Sequence, residues 1–189
     1  MASTAPILPT ARRYSTVSIW LHWIIAALVL GNIAGALIAD AIGGAAAGSI
    51  MAVHKSIGLT VLGLSILRLG WRLGHGTPPL SDTLEPWERA LARTVHTLFY
   101  VLMIGVPLLG WMMSSAGSRP LEWFGLPFPK LPVERGSPAA SYAHDAHVVL
   151  GLSFLLLAAL HVGGALKHHF VNRDNELARM IPALRRESV

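Results

Sequence analysis

The sequence predicts an all-α integral membrane protein: a four-helix bundle in a single domain spanning residues 1–189, with both termini in the cytoplasm. Three observations predict it. Four apolar runs each reach the roughly 20 residues needed to cross a hydrocarbon core. Charged residues make up 13% of the 189-residue chain, whereas a soluble domain carries about 25%. The cations gather on one side when the runs are threaded alternately through a bilayer.

The first helix is expected over residues 19–39. The pair Arg12-Arg13 before it resembles a twin-arginine signal. The run behind it is longer than the roughly 7–15 residues of a signal h-region, so it is read as a retained spanning helix. A short Gly- and Ala-rich connection, 40–49, leads to the second helix, expected over 50–71. The next connection, 72–93, contains Thr77-Pro78-Pro79 and a cap at Ser81 or Asp82. Its stretch 84–91 reads as a separate short helix in the membrane interface, with Trp87 at headgroup depth. The third helix is expected over 94–114, bent by Pro107. The connection 116–140 holds five prolines and Trp123, Phe124 and Phe128. It is expected to form an ordered cover on the membrane surface. The fourth helix is expected over 142–166, followed by a polar, basic tail.

With both termini inside, the inner segments hold Arg12, Arg13, Arg68, Arg72, Arg89, Arg93, Lys167, Arg173, Arg179, Arg185 and Arg186. The outer segments hold Lys55, Arg119, Lys130 and Arg135. Eleven cations against four set the orientation.

That threading sorts the histidines by depth. His147 and His161 lie fourteen residues apart on the fourth helix. At about 100° per residue they fall roughly 40° short of four full turns, on one face. Their separation along the axis is about 21 Å, most of a hydrocarbon core about 30 Å thick. His22 lies at the inner level with His161, and His54 at the outer level with His147. Intramembrane ionisable residues are costly and usually functional, and neutral imidazole is a common haem ligand. Two levels of paired histidines read as two bis-histidine haem sites, with the iron of each held by His22/His161 and His54/His147. His144, about 100° off the face of His161, is the alternative outer ligand, and His144-x-x-His147 is also half of a zinc pattern.

The remaining candidates serve these sites. Arg68 lies fourteen residues after His54, at the inner level, and Arg72 follows one turn later. Both fit either haem propionates or positive-inside anchoring, and Lys55 stands beside the outer ligand. His168, seven residues beyond His161, fits a quinone contact, a proton relay or an interfacial histidine. His96 reads as interfacial or as a partner of a ligand, and His75 as a solvated loop residue. The small residues Gly31, Gly35, Gly58, Gly63, Gly151, Gly163 and Gly164 suit close helix packing or a macrocycle equally.

Cysteine is absent, which removes disulfides, iron–sulfur clusters, thiol catalysis and covalent haem attachment. The net charge of +5 fits cytoplasmic membrane segments, and no basic module for nucleic acid is expected.

The motifs Trp20-Leu21-His22-Trp23, His54-Lys55-Ser56-Ile57-Gly58, Arg68-x-x-x-Arg72 and Thr77-Pro78-Pro79 carry a family resemblance. So do His147 with His161, His168-His169-Phe170, Asp174-Asn175 and Arg179-Met180-Ile181-Pro182. Together they resemble the prokaryotic cytochrome b561 family of four-helix di-haem membrane proteins, from Arg13 to Pro182. The tail is similar to the branch that includes superoxide oxidases. The resemblance implies two b-type haems on His22, His54, His147 and His161 in the bacterial inner membrane, and electron exchange with the quinone pool. If the protein is an enzyme, the branch implies a superoxide:ubiquinone oxidoreductase, with superoxide oxidised on the outer side. Lys55, Arg119, Lys130 and Arg135 then form a cationic outer surface, weakened by Glu122 and Glu134. Two other readings stand beside it. One is the membrane-anchor cytochrome of a hydrogenase or dehydrogenase, with a protein redox partner. The other is a non-haem metal-binding membrane scaffold.

Overall fold

The computed structural model describes residues 14–80 and 84–185. Arg12, Arg13, Arg186 and the expected caps at Ser81 and Asp82 lie outside the described residues. Four long helices form the bundle: α1 (Thr16–Ile42), α2 (Gly44–His75), α3 (Pro86–Ser115) and α4 (Pro138–Lys167). All four are long and apolar enough to cross a membrane. Neighbours in sequence pack side by side, and α1 meets α4 narrowly to close the ring.

Local chemistry sets the ends. The Ser15 hydroxyl accepts the Ser18 N–H at 3.2 Å, and Ser137 accepts that of Ala140 at 3.3 Å, each satisfying an orphan donor of a first helical turn. Helix α3 begins with Pro86, and Glu88 reaches back to accept the Glu85 N–H at 3.1 Å.

Two connections differ from the sequence expectation. The loop expected over 40–49 is a single residue, Gly43, at φ 61° and ψ −169°. A backbone turn of this kind suits glycine, and the Gly- and Ala-rich stretch after it continues as helix. The separate interfacial helix expected over 84–91 is the start of α3 itself, because the proline and the Glu85–Glu88 exchange start the helix there. His75, expected in a loop, is the last residue of α2 and stacks on Trp71 with centroids 3.7 Å apart.

The connection after α3 forms a short antiparallel hairpin, β1 (Glu122–Trp123) with β2 (Leu126–Pro127). It is pinned to the bundle. Trp123 Nε1 donates to Thr60 Oγ1 at 3.0 Å, the Phe124 N–H to Ser56 Oγ at 3.0 Å, and Trp111 Nε1 to the Pro129 carbonyl at 2.9 Å.

The buried core is small and lies at mid-depth: Ile25, Leu102, Met103 and Phe154. Phe154 sits seven residues from both His147 and His161, so it separates the two levels on one face. Large apolar side chains such as Leu37, Ile66, Leu67, Leu156 and Leu160 point outward. A bundle in hydrocarbon needs that surface, since its solvent is as apolar as its side chains.

Candidate functional site

The fold brings the four expected histidines together in the two expected pairs. The His22 and His161 ring centroids are 6.5 Å apart, and those of His54 and His147 are 6.0 Å apart. All four rings are half-buried. An iron held between two imidazoles at about 2.0 Å from each, with each centroid roughly 1.1 Å behind its nitrogen, would need centroids about 6.2 Å apart. Both pairs therefore have room for one iron between them. His144 is exposed beside this arrangement. Among the described residues no group of three or more His, Asp or Glu side chains converges as an ion site.

Backbone carbonyls orient the outer pair. His54 Nδ1 lies 3.2 Å from the Asn32 carbonyl of α1, and His147 Nδ1 lies 2.9 Å from the Val106 carbonyl of α3. A carbonyl only accepts, so each Nδ1 carries the proton and each Nε2 keeps its lone pair for a metal. The His147 ring lies over Gly110, one turn beyond Val106: a Cβ there would sit 3.0 Å from His147 Cε1. On α1 and α2 the close approach runs through Gly35, whose added Cβ would meet Ile50 at 3.6 Å.

The inner pair has aromatic walls. His161 packs against Phe99 at 5.1 Å and His96 at 5.9 Å, and His22 against Trp23 at 5.1 Å. Arg68 lies in electrostatic range of His22, His96 and His161. The Arg68 and Arg72 guanidiniums both stand over Tyr100, at 5.9 and 5.5 Å. The resulting donor set is two imidazole pairs with cations at the inner one. It fits two non-covalently held haems and their propionates.

His168 sits in a π-type turn, His168–Asn172, that ends α4. Its Nδ1 is 2.6 Å from Asp174 Oδ2, so the carboxylate holds the ring while the chain reverses at Arg173, φ 56°. On the opposite end Lys55, Arg119 and Arg135 are exposed, as are Glu122 and Glu134. Lys130 donates to the Gly117 carbonyl at 2.6 Å. Sequence reasoning did not single out Asn32, Val106, Gly110 or Phe99. Of these only Gly110 had a signal, a side-chain-free position in a spanning helix opposite a histidine.

The sequence model of the family described as prokaryotic cytochrome b561 matches residues 13–183. The chain is 30% identical over 175 residues to cytochrome b561 homolog 2 of Escherichia coli strain K12, covering 91% of this chain and 93% of that one. It is 31% identical over 180 residues to the probable superoxide oxidase CybB of Yersinia pestis, covering 92% and 98%. It is 30% identical over 174 residues to cytochrome b562 of Cereibacter sphaeroides, covering 89% and 94%. The chain thus belongs to the prokaryotic cytochrome b561 family and is a multi-pass inner-membrane electron-transfer protein that carries b-type haem.

Proposed function

We propose that the bundle is one di-haem domain, with His22 and His161 holding the inner haem and His54 and His147 the outer one. We further propose that it passes electrons from superoxide on the outer side to ubiquinone. The observation that carries this reading is the two imidazole pairs that α4 forms with α1 and α2, 6.5 and 6.0 Å between centroids, at levels about 21 Å apart. Haem held by these histidines would supply one-electron transfer.

The chain's own residues supply the rest. The Asn32 and Val106 carbonyls keep the outer rings in the ligating tautomer. Arg68 and Arg72 neutralise the inner propionates, and Lys55 serves the outer haem. The hairpin covers the outer end of α2 and keeps water from the His54 level. Lys55, Arg119 and Arg135 attract an anion to that face, where Lys130 is engaged with a carbonyl. Two superoxide ions each lose one electron and leave as dioxygen. One ubiquinone takes the two electrons and two protons and leaves as quinol. His168, oriented by Asp174 through Nδ1–H, donates from Nε2 to a quinone oxygen at the inner end as the imidazolium, whose positive charge the Asp174 carboxylate offsets. The similarity to a probable superoxide oxidase supports this choice of donor.

Haem stoichiometry tests the frame. A reduced pyridine-haemochrome assay is expected to give two b haems per chain, and one in His161→Ala. Two haems in the variant, or fewer than two in wild type expressed with adequate haem, would overturn the pairing. The substrate is tested in vesicles containing ubiquinone under a steady superoxide flux. Quinol formation at the rate of superoxide loss supports the oxidase. Superoxide loss without quinol removes ubiquinone as acceptor.

A further inference from the structure

Two cations on α3 remain outside this scheme. Arg89, Arg93 and His96 recur at intervals of four and three residues, so they share a helix face. His96 stands at the level of His161, and Arg89 lies about 10 Å nearer the membrane surface along the same helix. Exposed Trp87 and the Lys167 ammonium 5.9 Å over its ring mark that surface, since aromatic belts sit at headgroup depth.

Arg72, Arg89, Arg93 and His96 line a cavity of about 590 Å³ together with Tyr14, Thr97 and residues 77–80. Among the described residues no carboxylate lines it, and none pairs with Arg72, Arg89 or Arg93. Of the described carboxylates nearby, Glu88 pairs with Lys167 and Glu176 with Arg179, each at 3.2 Å. The C-terminal segment fixes two of the walls. Arg179 Nη2 donates to the Pro79 carbonyl at 2.7 Å, and its guanidinium lies 5.4 Å over the Tyr14 ring. A haem held by His22 and His161 would carry two propionates, and against the four guanidiniums of Arg68, Arg72, Arg89 and Arg93 two cations would remain.

We propose that this cavity is a phosphate-binding site in which Arg89 and Arg93 hold the phosphate of an anionic phospholipid headgroup or of soluble phosphate. A guanidinium fork matches phosphate oxygens in bidentate fashion. Basic pockets between spanning helices on the cytoplasmic side are the known setting for such headgroups. The site does not depend on superoxide or quinone being the substrates.

The test uses haem-loaded wild type and R89Q/R93Q in mild detergent. Native mass spectrometry compares phosphatidylglycerol with phosphatidylcholine, and a thermal-shift titration uses inorganic phosphate alone. Wild type is expected to retain phosphatidylglycerol about tenfold over phosphatidylcholine, and the variant to lose that preference at unchanged haem content. Stabilisation by inorganic phosphate equal to that by the lipid, and lost in the variant, supports the site and names the soluble anion. Wild type that ignores both phosphate and lipid charge overturns the proposal, as does a variant that binds like wild type. Loss of the inner haem from the variant assigns the arginines to the propionates and overturns it too.

Discussion

At Gly110 the missing side chain decides where an imidazole can lie. An added Cβ would approach His147 Cε1 to 3.0 Å and Nδ1 to 3.1 Å, close enough that the ring must shift by a few tenths of an ångström. The ring is held from the same helix by the Val106 carbonyl at 2.9 Å, so it cannot retreat without stretching that bond. Gly110→Ala is therefore expected to weaken the outer haem by about tenfold, the scale on which groups orienting a metal-bound histidine act, and to leave the inner haem unchanged. Haem titration of the apoprotein measures it, and equal affinity of both sites in variant and wild type would remove the orienting role. This contact was not legible beforehand. The fourteen-residue spacing of His147 and His161 follows from helical period alone, so the pairs could be read from sequence. A carbonyl partner has no sequence signature, because every residue has one. The Asp174 partner of His168 was hidden for another reason, since it requires the tail to reverse at Arg173.

The hairpin between α3 and α4 is an element whose backbone is tied to the bundle through one buried hydroxyl, beside the Trp123 and Trp111 hydrogen bonds. Ser56 is 4% exposed, donates to the Ala52 carbonyl at 3.1 Å and accepts the Phe124 N–H at 3.0 Å. Phe124 itself sits at φ 49°, a left-handed conformation that an aromatic residue adopts only when its surroundings hold it. Ser56→Ala removes the acceptor and leaves the N–H unsatisfied, at a cost of about 1–3 kcal/mol. The expected result is a lower Tm and faster amide exchange across β1 and β2, with both haems retained. Unchanged exchange at Phe124 would mean that Trp123 and Trp111 alone fix the hairpin. Five prolines and three aromatics announced an ordered cover here, since neither composition suits a flexible linker. The 40–49 connection misled because Gly and Ala read as a loop in water. Gly43 and Gly44, at φ 61° and 68°, make the turn between them, and the three alanines that follow, the strongest helix formers, carry the chain straight into α2. The start of α3 was similarly obscured, because Pro86 looks like a break until it is placed at the first helical position.

At the scale of the molecule the charge distribution has to agree with the chemistry. Arg68, Arg72, Arg89, Arg93, Lys167, Arg173, Arg179 and Arg185 belong to the segments at the end of the bundle that carries both termini, with Arg12, Arg13 and Arg186 beyond the described residues. Lys55, Arg119, Lys130 and Arg135 belong to the other end. Short loops rich in Lys and Arg stay in the cytoplasm, while Asp and Glu contribute little, so the +5 net charge understates the asymmetry. A C-terminal fluorescent-protein fusion is accordingly expected to glow and a C-terminal alkaline phosphatase fusion to be inactive. Phosphatase inserted in the 116–140 segment should be active. The reverse pattern would place the His54/His147 pair and the hairpin on the cytoplasmic side. An anion produced outside the cell membrane would then meet the arginine-rich end, and the His22/His161 pair would be first to receive its electron. The proposed direction, from superoxide at the hairpin end to quinone at the His168 end, therefore stands or falls with this orientation, even though the two imidazole pairs would be the same in either.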